Sequence, residues 1–102
     1  MTNNADELAK GYLDAFKTRM RIFTTDQEEL DNLLFMLTSS IKSIVTLTGA
    51  DQASSEVKEL AFERARYVYY DALDEFQKNY ADEIETLYLI NKYKESGALS
   101  HD

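Results

Sequence analysis

The most apolar part of the sequence is Leu33-Leu34-Phe35-Met36-Leu37, a run of five large apolar residues. Five consecutive residues cover more than one turn of an α-helix, whereas a helix with one buried stripe needs apolar side chains on one face only. Phe35 and Met36 therefore exceed what a single stripe requires. Either this helix lies at the centre and is covered on all sides, or one face is exposed in the single chain and covered in an assembly.

Around this run the sequence predicts a helix from about Asp26 to Thr48. The helix opens with Thr25-Asp26-Gln27-Glu28, a capping-box pattern in which the Thr25 hydroxyl bonds the backbone of the first turn. Gly49 suits the left-handed position just after the helix. The apolar residues that follow the helical period are Leu30, Leu33, Leu34, Leu37, Ile41, Ile44 and Val45.

Helical periodicity also covers the rest of the chain up to about Asn91. A first helix is predicted from about Ala5 to Ile22, with Asn4 as its N-cap. A third begins at Ser54 or Ser55, and the pattern leaves open whether it breaks near Asn79 before a short final helix over about 81–91. The first apolar face contains Leu8, Tyr12, Leu13, Phe16, Met20 and Phe23. The later one contains Val57, Leu60, Ala61, Ala65, Val68, Tyr69, Ala72, Leu73, Phe76, Tyr80, Ile84, Leu87 and Tyr88.

Length and composition predict a small all-α domain. The chain has 102 residues, no Pro and only three Gly, which is too little turn chemistry for a many-stranded β fold. We therefore expect a three- to four-helix bundle over 1–94, followed by a flexible C-terminal tail over 95–102 that has no helical period.

The charge balance limits the partners that the chain could bind. It has 11 Lys+Arg and 19 Asp+Glu, a formal net charge of −8, which argues against gripping nucleic acid or an anionic membrane. The N-terminus lacks the pattern of a signal peptide, and the longest uncharged stretch, Asn32 to Ile41, is too short to cross a bilayer. An intracellular, soluble protein is the expectation.

The residue types needed for catalysis are sparse. There is no Cys, and the one His, His101, lies in the predicted tail. Neither Glu-x-x-His nor His-Glu-x-x-His is present, and Ser39-Ser40 and Ser54-Ser55 lack a His partner on any helix. Paired carboxylates such as Asp71 and Asp74 are far more often surface charge than acid–base catalysts. We expect no enzymatic activity, no metal and no cofactor.

Two sets of residues are candidates for contacts with partners. Tyr67, Val68, Tyr69 and Tyr70 are consecutive and cannot all face one core, so Phe35, Met36, Tyr67 and Tyr70 are the candidate interface residues. The stretch from Asp71 to Glu85 contains six carboxylates and one cation, Lys78, and Asp82, Glu83 and Glu85 are the candidates for an anionic channel wall or surface patch. The alternatives are Tyr rings that merely cover a helix surface, and an ordinary solvated helix face.

The order of these segments is similar to that in a known family. Met20-Arg21-Ile22-Phe23 is followed by the acidic start Thr24-Thr-Asp-Gln-Glu-Glu-Leu30, by Ile44-Val-Thr-Leu-Thr-Gly49 and by Arg66-Tyr-Val-Tyr-Tyr70. The most specific part is Phe76-Gln-Lys-Asn-Tyr80-Ala-Asp-Glu-Ile84-Glu-Thr-Leu87. Over about 11–93 the chain resembles the head–tail connector (adaptor, or head-completion) proteins of tailed bacteriophages, especially siphophages.

The resemblance implies a structural role. Such proteins are monomers in isolation and assemble as a dodecameric ring beneath the portal protein after DNA packaging. The ring extends the DNA channel and offers a platform for the stopper and the tail, while DNA passes without specific binding. The implied location is the virion, with the host cytoplasm before assembly. The rival from another class is a small acidic helical inhibitor or regulator of one cellular protein.

Overall fold

The chain is an all-helical body in the computed structural model, which describes residues 4–96. Those residues form five α-helices and no strand: α1 (Asn4–Met20), α2 (Gln27–Thr48), α3 (Ser55–Tyr69), α4 (Leu73–Asn79) and α5 (Ala81–Ser96). The all-α prediction is confirmed. The helix breaks next to Asn79, and a further break at 70–72, which the sequence pattern did not indicate, divides the predicted third helix once more.

Helix α2 lies at the centre and packs against α1, α3 and α5. Its buried residues recur at steps of one, three or four along the helix: Leu33, Leu37, Ser40, Ile41, Ile44 and Thr48. Opposite them, Phe62 of α3 meets Phe16 and Tyr12 of α1 edge-on, with ring centroids 5.6 and 5.7 Å apart. This aromatic contact joins α1 to α3 beside the central helix.

Local capping explains where α2 and α3 begin. The N-cap of α2 is Asp26, whose carboxylate accepts from the Glu29 amide at 3.0 Å, so the cap lies one residue later than the predicted Thr25. Ser54 caps α3 by accepting from the Val57 amide at 3.2 Å. At the other end of α2, Gly49 adopts φ 72° as predicted, and its amide donates to the Val45 carbonyl.

Helices α1 and α3 end in the same way, each with a non-glycine residue in the left-handed conformation. Arg21 and Asp71 both have φ 58°. The residue after each donates its amide to the carbonyl five positions earlier, from Ile22 to Lys17 and from Ala72 to Tyr67. These are Schellman motifs. Because α1 ends at Met20, Phe23 leaves the predicted apolar face and is 80% exposed.

A cluster of aromatic rings holds α4 and the start of α5 against α3. Phe76 is buried and stacks on Tyr80 at 4.8 Å, and Tyr67 contacts both rings from α3. Ile84 and Leu87 continue this packing along α5. The apolar positions of the Phe76–Leu87 block are therefore fold-forming.

Among the described residues, only α2 is long and apolar enough to cross a membrane. The core helix of a soluble protein can pass the same test of length and composition.

The last helix extends into the predicted tail, because α5 includes positions 95 and 96. Positions 97–102, with His101, lie outside the described residues, so the flexible tail stays a prediction.

Candidate interaction surfaces

Phe35 is exposed because of its position on α2. It lies two residues from both Leu33 and Leu37, which is roughly 200° around the helix from the buried stripe. Its side chain is 71% exposed, whereas Met36 is half-buried and packs against the core. The central helix is thus not covered on all sides. Of Phe35 and Met36, only Phe35 is available to a partner in the single chain.

The two tyrosine candidates also differ from each other. Tyr70 follows α3, is 62% exposed and contacts only the edge of Tyr69 among the rings, at 5.1 Å. Tyr67 is half-buried in the aromatic cluster with Phe76, and its hydroxyl accepts from the Asn79 amide at 3.2 Å. Tyr70 is available to a partner, while Tyr67 holds α4 in place.

The exposed apolar surface also includes residues that the sequence analysis placed on core faces or did not single out. These are Phe23, Leu47, Tyr69, Tyr88, Leu89, Ile90 and Tyr93. Leu87-Tyr88-Leu89-Ile90 is a run of four apolar residues in α5. Like Leu33–Leu37, this run exceeds the one face that a single buried stripe needs, and that excess is the sequence signal for exposed apolar side chains in α5.

The predicted anionic patch is divided by the structure. Asp82, Glu83 and Glu85 are all exposed near the start of α5, where negative charge interacts favourably with the helix dipole. Asp82 and Glu83 line a groove between α3 and α5 with a volume of about 770 Å³, and Glu85 lies outside it. Two of the three carboxylates therefore face the groove, and the third does not.

A charged network occupies one end of this groove and centres on Glu63 of α3. Its Oε1 accepts from Tyr80 at 2.9 Å and from Nη2 and Nε of Arg66 at 2.7 and 3.2 Å. Arg19 of α1 reaches Oε2 of Glu63 at 3.8 Å and Glu59 at 3.3 Å, with its guanidinium 4.8 Å from the Phe62 ring centroid. The network joins α1, α3 and the junction between α4 and α5.

The same contacts shift two protonation equilibria. Burial raises the pKa of Glu63, but the hydrogen bonds from Arg66 and Tyr80 and the nearby positive charges outweigh it, so that the pKa lies below its ordinary value. Burial and the hydrogen bond to Glu63 raise the pKa of Tyr80 to about 12. Glu63 thus acts as a fixed anion that orients its neighbours.

Residues weighed for catalysis occupy structural positions. Ser40 is buried and accepts from Nη1 of Arg64 at 3.1 Å, and Ser54 caps α3. Asp71 takes the left-handed position after α3, and Asp74 lies exposed in the first turn of α4. Within 4–96, no three His, Cys, Asp or Glu side chains are grouped so that they could hold a metal ion.

Comparison with known proteins gives no relative: no protein-family model, no curated protein and no solved structure matches the chain.

Proposed function

We propose that this chain is a structural assembly subunit, the head–tail connector of a tailed bacteriophage, which forms a ring beneath the portal protein. The ring extends the DNA channel and carries the stopper and the tail. The proposal assigns the chain no enzymatic activity. It places the chain in the host cytoplasm before assembly and in the virion afterwards.

The observation that carries the proposal is the exposed apolar surface of a small, acidic body. Phe35 on the central helix and Tyr70 after α3 present large side chains to solvent, as does Phe23 between α1 and α2. Exposed aromatic residues of this kind are enriched at protein interfaces. A net charge of −8 would keep free subunits apart until they meet the portal.

The resemblance and the exposed residues support different parts of the proposal. The resemblance is most specific in the Phe76–Leu87 block. The apolar residues of this block, Phe76, Tyr80, Ile84 and Leu87, are buried or half-buried, so the resemblance supports a shared fold and not a shared interface. Assembly rests on Phe35 and Tyr70. Of the candidate channel-wall carboxylates Asp82, Glu83 and Glu85, we assign Glu85 to the wall of the DNA channel, because it is exposed and lies outside the groove.

Electron microscopy of the chain mixed with the purified portal protein of the phage that encodes it tests the proposal. We expect an additional annular layer on the portal, while the chain alone sediments as a monomer. A bare portal at saturating chain concentration would contradict the connector role. Saturation at one or two copies on another protein would favour the acidic-regulator alternative.

Two variants connect the annular layer to the proposed surface. Phe35→Glu places a charge on a solvent-exposed position, so we expect a folded monomer that no longer adds the layer. Thr46→Glu is the matched control, because it adds the same charge at an exposed position of α2 that lies roughly 16 Å along the helix from Phe35. Equal loss of the layer in both variants would show that added charge, rather than Phe35, is responsible.

A further inference from the structure

We propose that the groove between α3 and α5 binds a basic amphipathic helix of a partner protein, two turns long, with Lys or Arg flanking an apolar stripe. Binding there is independent of the proposed ring, because the groove is open in the single chain and includes neither Phe35 nor Tyr70. Helix-in-groove recognition of this kind needs an apolar floor, a charged rim and sufficient length.

The floor of the groove is apolar and accessible. Leu60 of α3 is nearly buried, Leu87 of α5 is half-buried, and Ile90 is 46% exposed at the far end. Burying such side chains under a partner removes apolar surface from water, which favours association. The floor supplies the apolar half of the recognition.

The rim is acidic on both sides. Glu56 and Glu59 line it on α3, and Asp82 and Glu83 line it on α5. Within the described part of the chain, Arg19 pairs with Glu59, whereas Glu56, Asp82 and Glu83 have no cationic partner. The nearby Lys58 faces away from the groove and lies 5.4 Å from the ring centroid of Tyr12.

The charge of the rim selects the occupant. Unpaired carboxylates on both sides of an apolar floor attract Lys and Arg and repel nucleic acid and anionic lipid. An amphipathic helix with basic flanks matches this arrangement, since its apolar stripe meets the floor while its cations reach both rims.

The dimensions of the groove agree with two turns of helix. On α3 the lining runs from Ser55 to Glu63, and on α5 from Asp82 to Ile90. Each stretch rises by roughly 12 Å at 1.5 Å per residue, which equals a little over two helical turns. The occupant therefore presents apolar residues at positions i, i+3 or i+4, and i+7.

Binding of a synthetic peptide to the full chain, followed by fluorescence anisotropy, tests the inference. The probe is a labelled peptide of about 14 residues with Leu at the three stripe positions and Lys on both flanks. One control peptide has the same composition with the stripe scrambled, and a second has Glu in place of Lys. We expect only the probe to bind, and to release at about 1 M salt, where charges are screened beyond about 3 Å.

Two matched pairs of variants locate the site. Glu83→Lys reverses a rim charge, and Glu85→Lys makes the same change two residues away, outside the groove. Ile90→Ser and Leu89→Ser remove apolar side chains that are 46% and 38% exposed, of which only Ile90 lines the groove. We expect Glu83→Lys and Ile90→Ser to weaken binding about tenfold and their controls less than about twofold.

Several outcomes would overturn the inference. Equal weakening by Glu83→Lys and Glu85→Lys would indicate that the peptide is attracted by net charge alone. Equal binding of the scrambled peptide would show that the apolar floor does not contribute to recognition. Absence of binding to the unmodified chain would refute the site. A dimer of the chain that Ile90→Ser dissociates and Leu89→Ser does not would make a second copy the occupant.

Amide chemical shifts of the unmodified chain provide a measurement that does not depend on variants. We expect the peptide to perturb the amides of 55–63 and 82–90. Perturbation centred on Phe35 and Tyr70 would contradict the assignment.

Discussion

The phenol of Tyr80 donates a hydrogen bond of 2.9 Å to Oε1 of Glu63, the same oxygen that Arg66 binds at 2.7 Å. This bond connects the residue between α4 and α5 to the middle of α3. It also stabilises the protonated phenol and the ionised carboxylate together, so the two residues make stability depend on pH at both ends of the scale.

At alkaline pH the relevant group is Tyr80. Its pKa is raised from 10.0 to about 12 in the folded chain, so the unfolded state loses the proton first. The stabilisation is complete below about pH 10 and is lost as pH rises towards 12. In an ultraviolet titration, the component near pH 12 should disappear in Tyr80→Phe and remain in Tyr70→Phe, which alters an exposed ring. Persistence of that component in Tyr80→Phe would contradict the assignment.

At acidic pH the relevant group is Glu63, whose pKa lies below its ordinary value of 4.5. The unfolded state therefore takes up the proton first, and the stabilisation is lost as pH falls below about 4.5. We expect Glu63→Gln to lower the free energy of unfolding by about 1 kcal/mol at neutral pH, because the carboxylate is partly exposed and its charged hydrogen bonds are screened.

Urea denaturation at a series of pH values measures this difference. The difference in the free energy of unfolding between the unmodified chain and Glu63→Gln should become smaller as pH falls. Glu59→Gln is the control, since Glu59 is more exposed and its one cation, Arg19, is 3.3 Å away. A gap for Glu63→Gln that is constant with pH would show that the substitution acts through packing instead of charge.

The same substitution at two glycines should change stability in opposite directions. Gly11 lies within α1 with nothing within 4 Å of an added Cβ, so Gly11→Ala should raise the free energy of unfolding by roughly 0.5–1 kcal/mol. Gly49 has φ 72°, where an L side chain is strained, so Gly49→Ala should lower it by about 1 kcal/mol. Thermal unfolding followed by circular dichroism measures both, and shifts of the same sign would refute this account.

The left-handed residues at the ends of α1 and α3 predict a second contrast. Arg21 and Asp71 share φ 58°, but Asp tolerates this conformation better than Arg does. Arg21→Gly should therefore stabilise the chain by up to about 1 kcal/mol, and Asp71→Gly by less. A larger gain from Asp71→Gly, measured by the same thermal unfolding, would contradict the explanation.

Features that depend on neighbours in sequence were predictable from the sequence. Helical periodicity indicated the all-α class, Gly49 marked the end of α2, and the start of α3 was placed at Ser54 or Ser55, of which Ser54 is the cap. Capping bonds and left-handed turns involve residues within about five positions of one another, so a short stretch contains the information that specifies them. Even the misplaced cap of α2, at Asp26 instead of Thr25, is an error of one residue.

The burial of individual side chains was decided by tertiary structure alone. Phe35 and Met36 are adjacent, and Tyr67 and Tyr70 lie three residues apart. Only Met36 and Tyr67 pack against the core, and composition does not say which member of each pair does so. The outcome depends on where α1, α3 and α5 pack around α2, and the groove beside α5 follows from the same packing. Burial is a property of contacts between residues distant in sequence, whereas helix formation is a property of contacts between near ones.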